Sequence, residues 1–231
     1  MVQRYTLGET VLLINPMVGF ITFEGGDGSG KSTQIRLLEK HLVMRDKTCL
    51  TTREPGGTSL GRLLRQILLE TGKRPISAST ELFLYLADRA QHVHEVIAPA
   101  ILKGTIVLSD RYIDSTVAYQ GYGRGFDLQL LLSLNRIASE GLTPDITFLL
   151  DCPVQLGLSR TVHRGSNPST SKSNDRFESE NLEFHEKVRN GFLDLAAAEP
   201  ERFYIIDASR SEQEVFAAVK QIVDRRLDLP R

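Results

Sequence analysis

Short apolar runs recur along the chain at Phe20-Ile21-Thr22-Phe23, Thr48-Cys49-Leu50-Thr51-Thr52, Ile106-Val107-Leu108-Ser109, Ile146-Thr147-Phe148-Leu149-Leu150-Asp151 and Phe203-Tyr204-Ile205-Ile206-Asp207. They are mostly continuous rather than alternating with polar residues, as strands buried on both faces are. Between them the apolar period lengthens to that of a helix. One helix opens near Lys31 and sets Ile35, Leu38 and Leu42 on one face, and further helical patterns cover 60–69, 80–92, 154–163, 182–198 and 212–225. Strands separated by helices predict an α/β fold with a five-stranded parallel sheet and helices on both faces, a three-layer sandwich.

The pattern divides the chain simply. Residues 19–231 read as one domain without an internal linker or repeat, long enough to bury a full core. Residues 1–18 carry one apolar patch, Val11-Leu12-Leu13-Ile14, broken by Asn15-Pro16. That patch falls short of the ~7 apolar residues of a secretory leader, so a flexible tail is expected, with Met17 as the expected natural start. The stretch 166–174, SNPSTSKSN, is too polar to order itself and lies among Arg160, Arg164 and Arg176. A mobile lid is expected around 160–177.

Composition narrows the classes of partner. A formal net charge of −1 leaves no global basic field, which argues against nucleic acid. Cys49 and Cys152 have no metal-ligand spacing and suit reduced thiols in a cytoplasm. No apolar run approaches the ~20 residues of a membrane span. His92 and His94, at i and i+2 on a helix, point apart and are rejected as a metal pair.

The chemistry sits between the first strand and its helix. Gly25-Gly26-Asp27-Gly28-Ser29-Gly30-Lys31-Ser32 fits the pattern G-x-x-x-x-G-K-[ST] in the strand–loop–helix context that the pattern needs. Such glycines let backbone N–H groups turn inward around a phosphate chain, and the helix adds the positive end of its dipole. Residues 25–33, through Thr33, are therefore expected to bind ATP or another nucleoside triphosphate, with Lys31 on the β- and γ-phosphates and Ser32 on Mg²⁺. The second strand delivers Arg53-Glu54-Pro55-Gly56-Gly57-Thr58 to its carboxyl end, where open α/β sheets bind ligands. The third ends in Asp110-Arg111-Tyr112, a carboxylate placed to hold Mg²⁺ through water beside an arginine that can grip a phosphoryl group. Ser115 to Gly121, rich in hydrogen-bonding groups and glycine, is expected to be a loop that suits a small planar ligand. Tyr85 and Arg89 share a helix face with Leu82 and Leu86.

Together with Phe23-Glu24-Gly25, Ala87-Asp88-Arg89, Ala118-Tyr119-Gln120-Gly121, Pro144-Asp145 and Asp175-Arg176-Phe177, these motifs closely resemble those of bacterial thymidylate kinases over residues 19 to about 225. The resemblance implies a P-loop NTPase fold, transfer of the γ-phosphoryl of ATP to dTMP with Mg²⁺, and a homodimer. It implies that Asp27 accepts from the 3′-hydroxyl of the acceptor's sugar and that Tyr85 stacks on thymine. It gives Arg89 a base carbonyl, Gln120 the thymine edge with Ser115 in the same wall, and Tyr119 the 2′ carbon. Arg53 and Arg111 would hold the acceptor phosphate, with Arg65 nearby. The family divides by where a catalytic arginine sits, and Gly28 with Arg160 and Arg164 places this chain among members that carry it in the lid. Arg164 is the expected lid cation, with Arg160 behind it and Arg176 as the alternative. Two other readings stay open: a kinase of another nucleotide or nucleoside, and a P-loop switch or ATPase that has no monophosphate acceptor.

Overall fold

The structure is a computed structural model that describes residues 3–7, 10–14, 18–69, 75–165, 177 and 180–229. Strands β1 (Gln3–Leu7) and β2 (Thr10–Ile14) pair antiparallel with each other and stand outside the main sheet. The sequence reading expects no element before Phe20, and this hairpin is its first correction. The physical reason is visible in hindsight: Val11 to Ile14 is long enough for a strand once a partner of equal length precedes it.

The main sheet contains β3 (Phe20–Glu24), β4 (Cys49–Arg53), β5 (Ile106–Asp110), β6 (Ile146–Asp151) and β7 (Phe203–Asp207). All five run parallel in the order β4-β5-β3-β6-β7. The chain leaves β3 toward one edge and later returns to build the other, so the switch in direction falls at β3. Ligands bind outside the carboxyl ends of strands at such a point. Register sets Arg53 beside Asp110 and Asp110 beside Phe23, so the strand ends deliver their chemistry in one row.

Helix α1 (Lys31–Val43) follows β3, and α2 (Ser59–Leu69) follows β4. Helix α3 (Ala78–His92), capped by the Ser77 side chain, runs through a π-helical turn at Val93–Ile97 into α4 (Ala98–Leu102). After β5 come α5 (Ile113–Thr116), a second π-helical turn (Val117–Gly123) and α6 (Leu128–Ala138). Helices α7 (Val154–Gly165), α8 (Leu182–Ala198) and α9 (Glu212–Arg226) complete the order. Ile21 and Phe23 pack with Ile35, Leu38, Leu42 and Val219 on one face of the sheet. Phe20 and Val107 pack with Val93 and Ile97 on the other.

Residues 115–121 are helical, which corrects the expected loop. Gly121 is misleading there, because it serves close packing rather than a turn, as does Gly123 just beyond. A Cβ on Gly121 would lie 2.6 Å from Leu128, and one on Gly123 would lie 2.6 Å from Phe184. Helix α6 also escapes the periodicity analysis, since the unbroken run from Leu130 to Leu132 hides its face. Its start is nonetheless marked by Asp127, whose side chain accepts from the Leu130 N–H. His92 is buried, its Nδ1 3.0 Å from Glu54 and its Nε2 2.6 Å from Thr52, while His94 is exposed, so the two do not form a pair.

Candidate active site

The loop between β3 and α1 turns through positive φ at Gly25, Gly28 and Gly30. Gly28 is required on two counts: its φ is 74°, and a Cβ there would lie 2.0 Å from the Gly157 carbonyl oxygen of α7. No side chain, and therefore no arginine, fits at that position against α7. Lys31, buried at the start of α1, donates to the carbonyls of Gly25 at 3.0 Å and Gly26 at 2.8 Å. Burial first and the neighbouring Arg111 second push its pKa down to about 8.

The cleft beside this loop has a volume of about 270 Å³. All nine residues expected on the substrate side line it: Asp27, Arg53, Arg65, Tyr85, Arg89, Arg111, Ser115, Tyr119 and Gln120. Lys31, Ser32 and Asp110 line it as well.

Arg111 is the hub. Its Nη1 donates to Gly25 O and Ser115 Oγ, both at 3.1 Å, and its Nη2 to Asp27 Oδ1 at 2.6 Å and Tyr119 Oη at 3.0 Å. Burial would favour loss of its proton, but Tyr119, Asp27, Glu24 and Asp110 outweigh it and hold the guanidinium charged. Burial likewise works against the Asp27 carboxylate, yet Arg111, Lys31 and His185 together hold it below the usual range. The Ser32 hydroxyl donates to Asp110 Oδ2 at 2.7 Å.

Arg89 is 1% exposed and spends most of its donors inside the protein. Nε meets Glu54 at 2.8 Å, Nη1 meets Thr116 at 2.8 Å and Asn135 at 2.6 Å, and Nη2 meets the Tyr112 carbonyl at 3.0 Å. It is therefore a strut that ties α3 to α5, α6 and the segments just beyond β4 and β5, with one N–H left for the cleft. Arg65 donates to the Pro55 carbonyl at 2.9 Å, and Arg53 is exposed at the cleft. Arg160 donates to the Ala208 carbonyl at 2.9 Å and does not line the cleft. Arg164 lies in the last turn of α7, but its side chain falls outside the described residues, as do Arg176 and the insertion 166–174.

Residue types alone assign no role to the carboxylates that hold these groups in place. Glu24, fully buried, accepts from the Tyr112 N–H at 2.7 Å and from Ser115 Oγ at 2.6 Å. Burial, then Asp114, raises its pKa to about 8. Asp88 accepts from the Gly56 N–H at 3.0 Å and so ties the loop after β4 to α3. Burial, then Glu54, raises its pKa to about 6. Phe177 closes the cleft opposite Tyr85, with ring centroids 6.3 Å apart. Strand-end position was the available signal for Glu24; the other two had none beyond their motifs.

The family model for thymidylate kinase matches residues 23–219. A thymidylate kinase of Oleidesulfovibrio alaskensis is 52% identical over 204 residues, 88% of this chain and 96% of the relative. One of Geotalea uraniireducens is 50% identical over 208 residues, 90% of this chain and 97% of the relative. The crystal structure of thymidylate kinase from Ehrlichia chaffeensis superposes with a TM-score of 0.72 at 34% identity, covering 90% of this chain and all of that one. With a family match that runs from the first core strand into the last helix, and a glycine loop and arginine-lined cleft in the places described, this chain belongs to the thymidylate kinase family.

Proposed function

We propose that the chain transfers the γ-phosphoryl of ATP to dTMP, giving dTDP and ADP. One observation carries the proposal: the P-loop lysine and the arginines of a second phosphate site open on the same cleft, which ends in a slot lined by Tyr85, Gln120 and Phe177. A nucleotide switch has no use for a second phosphate site, and a nucleoside kinase has no acceptor phosphate to hold.

In this reading Lys31 leaves the loop carbonyls for the β- and γ-phosphates, while Arg53 and Arg111 hold the acceptor phosphate with Arg65 nearby. Two tails are thus aligned end to end, and the acceptor oxygen attacks in line without a side-chain nucleophile. Asp27 keeps capacity for the sugar 3′-hydroxyl, and the Tyr119 ring closes the wall at the 2′ carbon. Thymine stacks on Tyr85, with Ser115 in the same wall. The donor set of Ser32 and Asp110 fits Mg²⁺, which takes one or two protein oxygens and completes its shell with water and phosphate. When bound, the ion supplies charge neutralisation at the transferring group. Arg164, with Arg160 behind it, is the proposed lid cation; Arg160 must first release the Ala208 carbonyl. A coupled assay with ATP across dTMP, dUMP, dCMP, dGMP and AMP tests the proposal. dTMP is expected to be turned over best, and either preference for another monophosphate or ATP hydrolysis without any acceptor would overturn it.

The same reading includes a homodimer and a cytoplasmic enzyme, with no nucleic acid or membrane partner. Helix α3 packs against both α2 and α6. Leu60, Leu63 and Ile67 on α2, Phe83 on α3, and Leu130 and Ile137 on α6 are all exposed, giving three adjacent helices with outward apolar residues. Phe83, 60% exposed, belongs to none of the described hydrophobic core clusters. Phe83→Glu is expected to turn a dimer into a monomer in light scattering, with stability altered by no more than about 0.5 kcal/mol. A monomeric wild type, or an undisturbed dimer in the variant, would count against this face.

A further inference from the structure

We propose that Glu81 is a positioning residue for base selection: it fixes the Gln120 amide so that its carbonyl oxygen, not its NH₂, faces the base slot. The inference rests on the dTMP reading and deepens it. Gln120 is 2% exposed, lies on the π-helical turn after α5 and lines the cleft. Its Nε2 donates to Glu81 Oε1 at 2.9 Å. A carboxylate only accepts, so the amide edge that meets it is the NH₂ edge; one of its two N–H bonds is spent there, and Oε1 is the amide's acceptor for a ligand. Turned over, the amide would bring two acceptor oxygens together in a buried place, which is expensive.

Glu81 is held just as firmly. Its side chain is 1% exposed, and Arg124 donates to it from Nε at 3.3 Å and Nη2 at 3.2 Å. Arg124 also reaches Glu180 from Nη1 at 2.7 Å and lies over the rings of Phe177 and Phe184. A guanidinium has no acceptor, so it reinforces the same polarity: Arg124 donates to Glu81, Glu81 accepts from Gln120, and Gln120 is left to accept. Thymine presents an N–H donor at ring position 3, whereas cytosine presents an acceptor there. A fixed Oε1 therefore takes thymine or uracil and opposes cytosine, a mismatch that costs on the order of 10²-fold or more in a buried site.

Glu81→Gln leaves one acceptor for which Arg124 and Gln120 compete, so the Gln120 amide can turn. We expect kcat/KM for dTMP to fall about tenfold and that for dCMP to rise, lowering their ratio by about 10²-fold. General loosening of the fold would lower both substrates together and leave the ratio unchanged. Gln120→Ala, measured in parallel, separates the two ideas. If it leaves kcat/KM for dTMP at the wild-type value, the base-edge reading fails and this proposal with it. If it lowers kcat/KM while Glu81→Gln keeps the ratio within about twofold of wild type, the positioning role alone is overturned. Should Glu81→Gln lack a cooperative melt, Glu81→Asp keeps the charge that Arg124 needs but withdraws the oxygen from Gln120, and the same fall in ratio is expected.

Discussion

Lys31→Met is expected to lower phosphoryl transfer by about 10³-fold or more, equivalent to roughly 4 kcal/mol of transition-state stabilisation. The fold should survive the change. In the free protein Lys31 is buried and its pKa is pushed down to about 8, chiefly by that burial and then by Arg111, so its cation is a burden rather than a prop. The sign follows from linkage. The unfolded chain binds the lysine proton up to its ordinary value near 10.5, while the folded chain releases it near 8, so this group adds to stability as pH rises from about 8 to 10.5. Neutral methionine removes that dependence. Phosphate oxygens at the same place favour the cation, so nucleotide binding near pH 8.5 should take up a proton in wild type and none in the variant. Calorimetry in two buffers of different ionisation enthalpy measures the uptake. Turnover within tenfold of wild type would remove Lys31 from the phosphate site.

Much of this site is legible in the sequence because its residues cluster at strand ends. A continuous apolar run betrays a buried parallel strand, and the residue that ends the run must then lie at the ligand edge of the sheet. Arg53 and Asp110 are placed in this way, and the parallel register sets them side by side. Lys31 and Ser32 follow from a spaced motif with a single geometry. What escapes is whatever tertiary packing decides. Gly121 reads as a loop residue and turns out to be a point where Leu128 comes too close for a Cβ. Arg89 reads as a ligand donor and lines the cleft, but its second role, four contacts to Glu54, Thr116, Asn135 and Tyr112, rests on a network whose members are far apart in the chain. The same holds for Asp88 and Glu81. A carboxylate that only orients another group carries no local pattern, and its role appears once the partner is seen.

Arg111→Lys is the sharper test of the acceptor half of the cleft, because charge is kept and only geometry is lost. Arg111 has φ 74°, a left-handed backbone that costs a non-glycine residue about 1–2 kcal/mol. The fold holds it there by two bonds across the turn: Ser109 Oγ donates to the Arg111 carbonyl at 2.8 Å, and the Tyr112 N–H donates to Glu24 at 2.7 Å. That placement lets one planar guanidinium meet Gly25, Asp27, Ser115 and Tyr119 at once, joining the P-loop to the acceptor wall. Lysine has a single point of charge on a flexible stem and cannot reproduce the fork. The variant should therefore bind ATP nearly as wild type does but lose about 10²–10³-fold in kcat/KM for dTMP. Arg111→Ala should lose more, since it also strips Asp27 of its main cationic partner. Kinetics with ATP and dTMP varied separately would distinguish the two halves. A lysine variant with unaltered kcat/KM for dTMP would mean that the acceptor phosphate is gripped elsewhere, and that the bonds from Arg111 to Asp27 and Tyr119 serve only the fold.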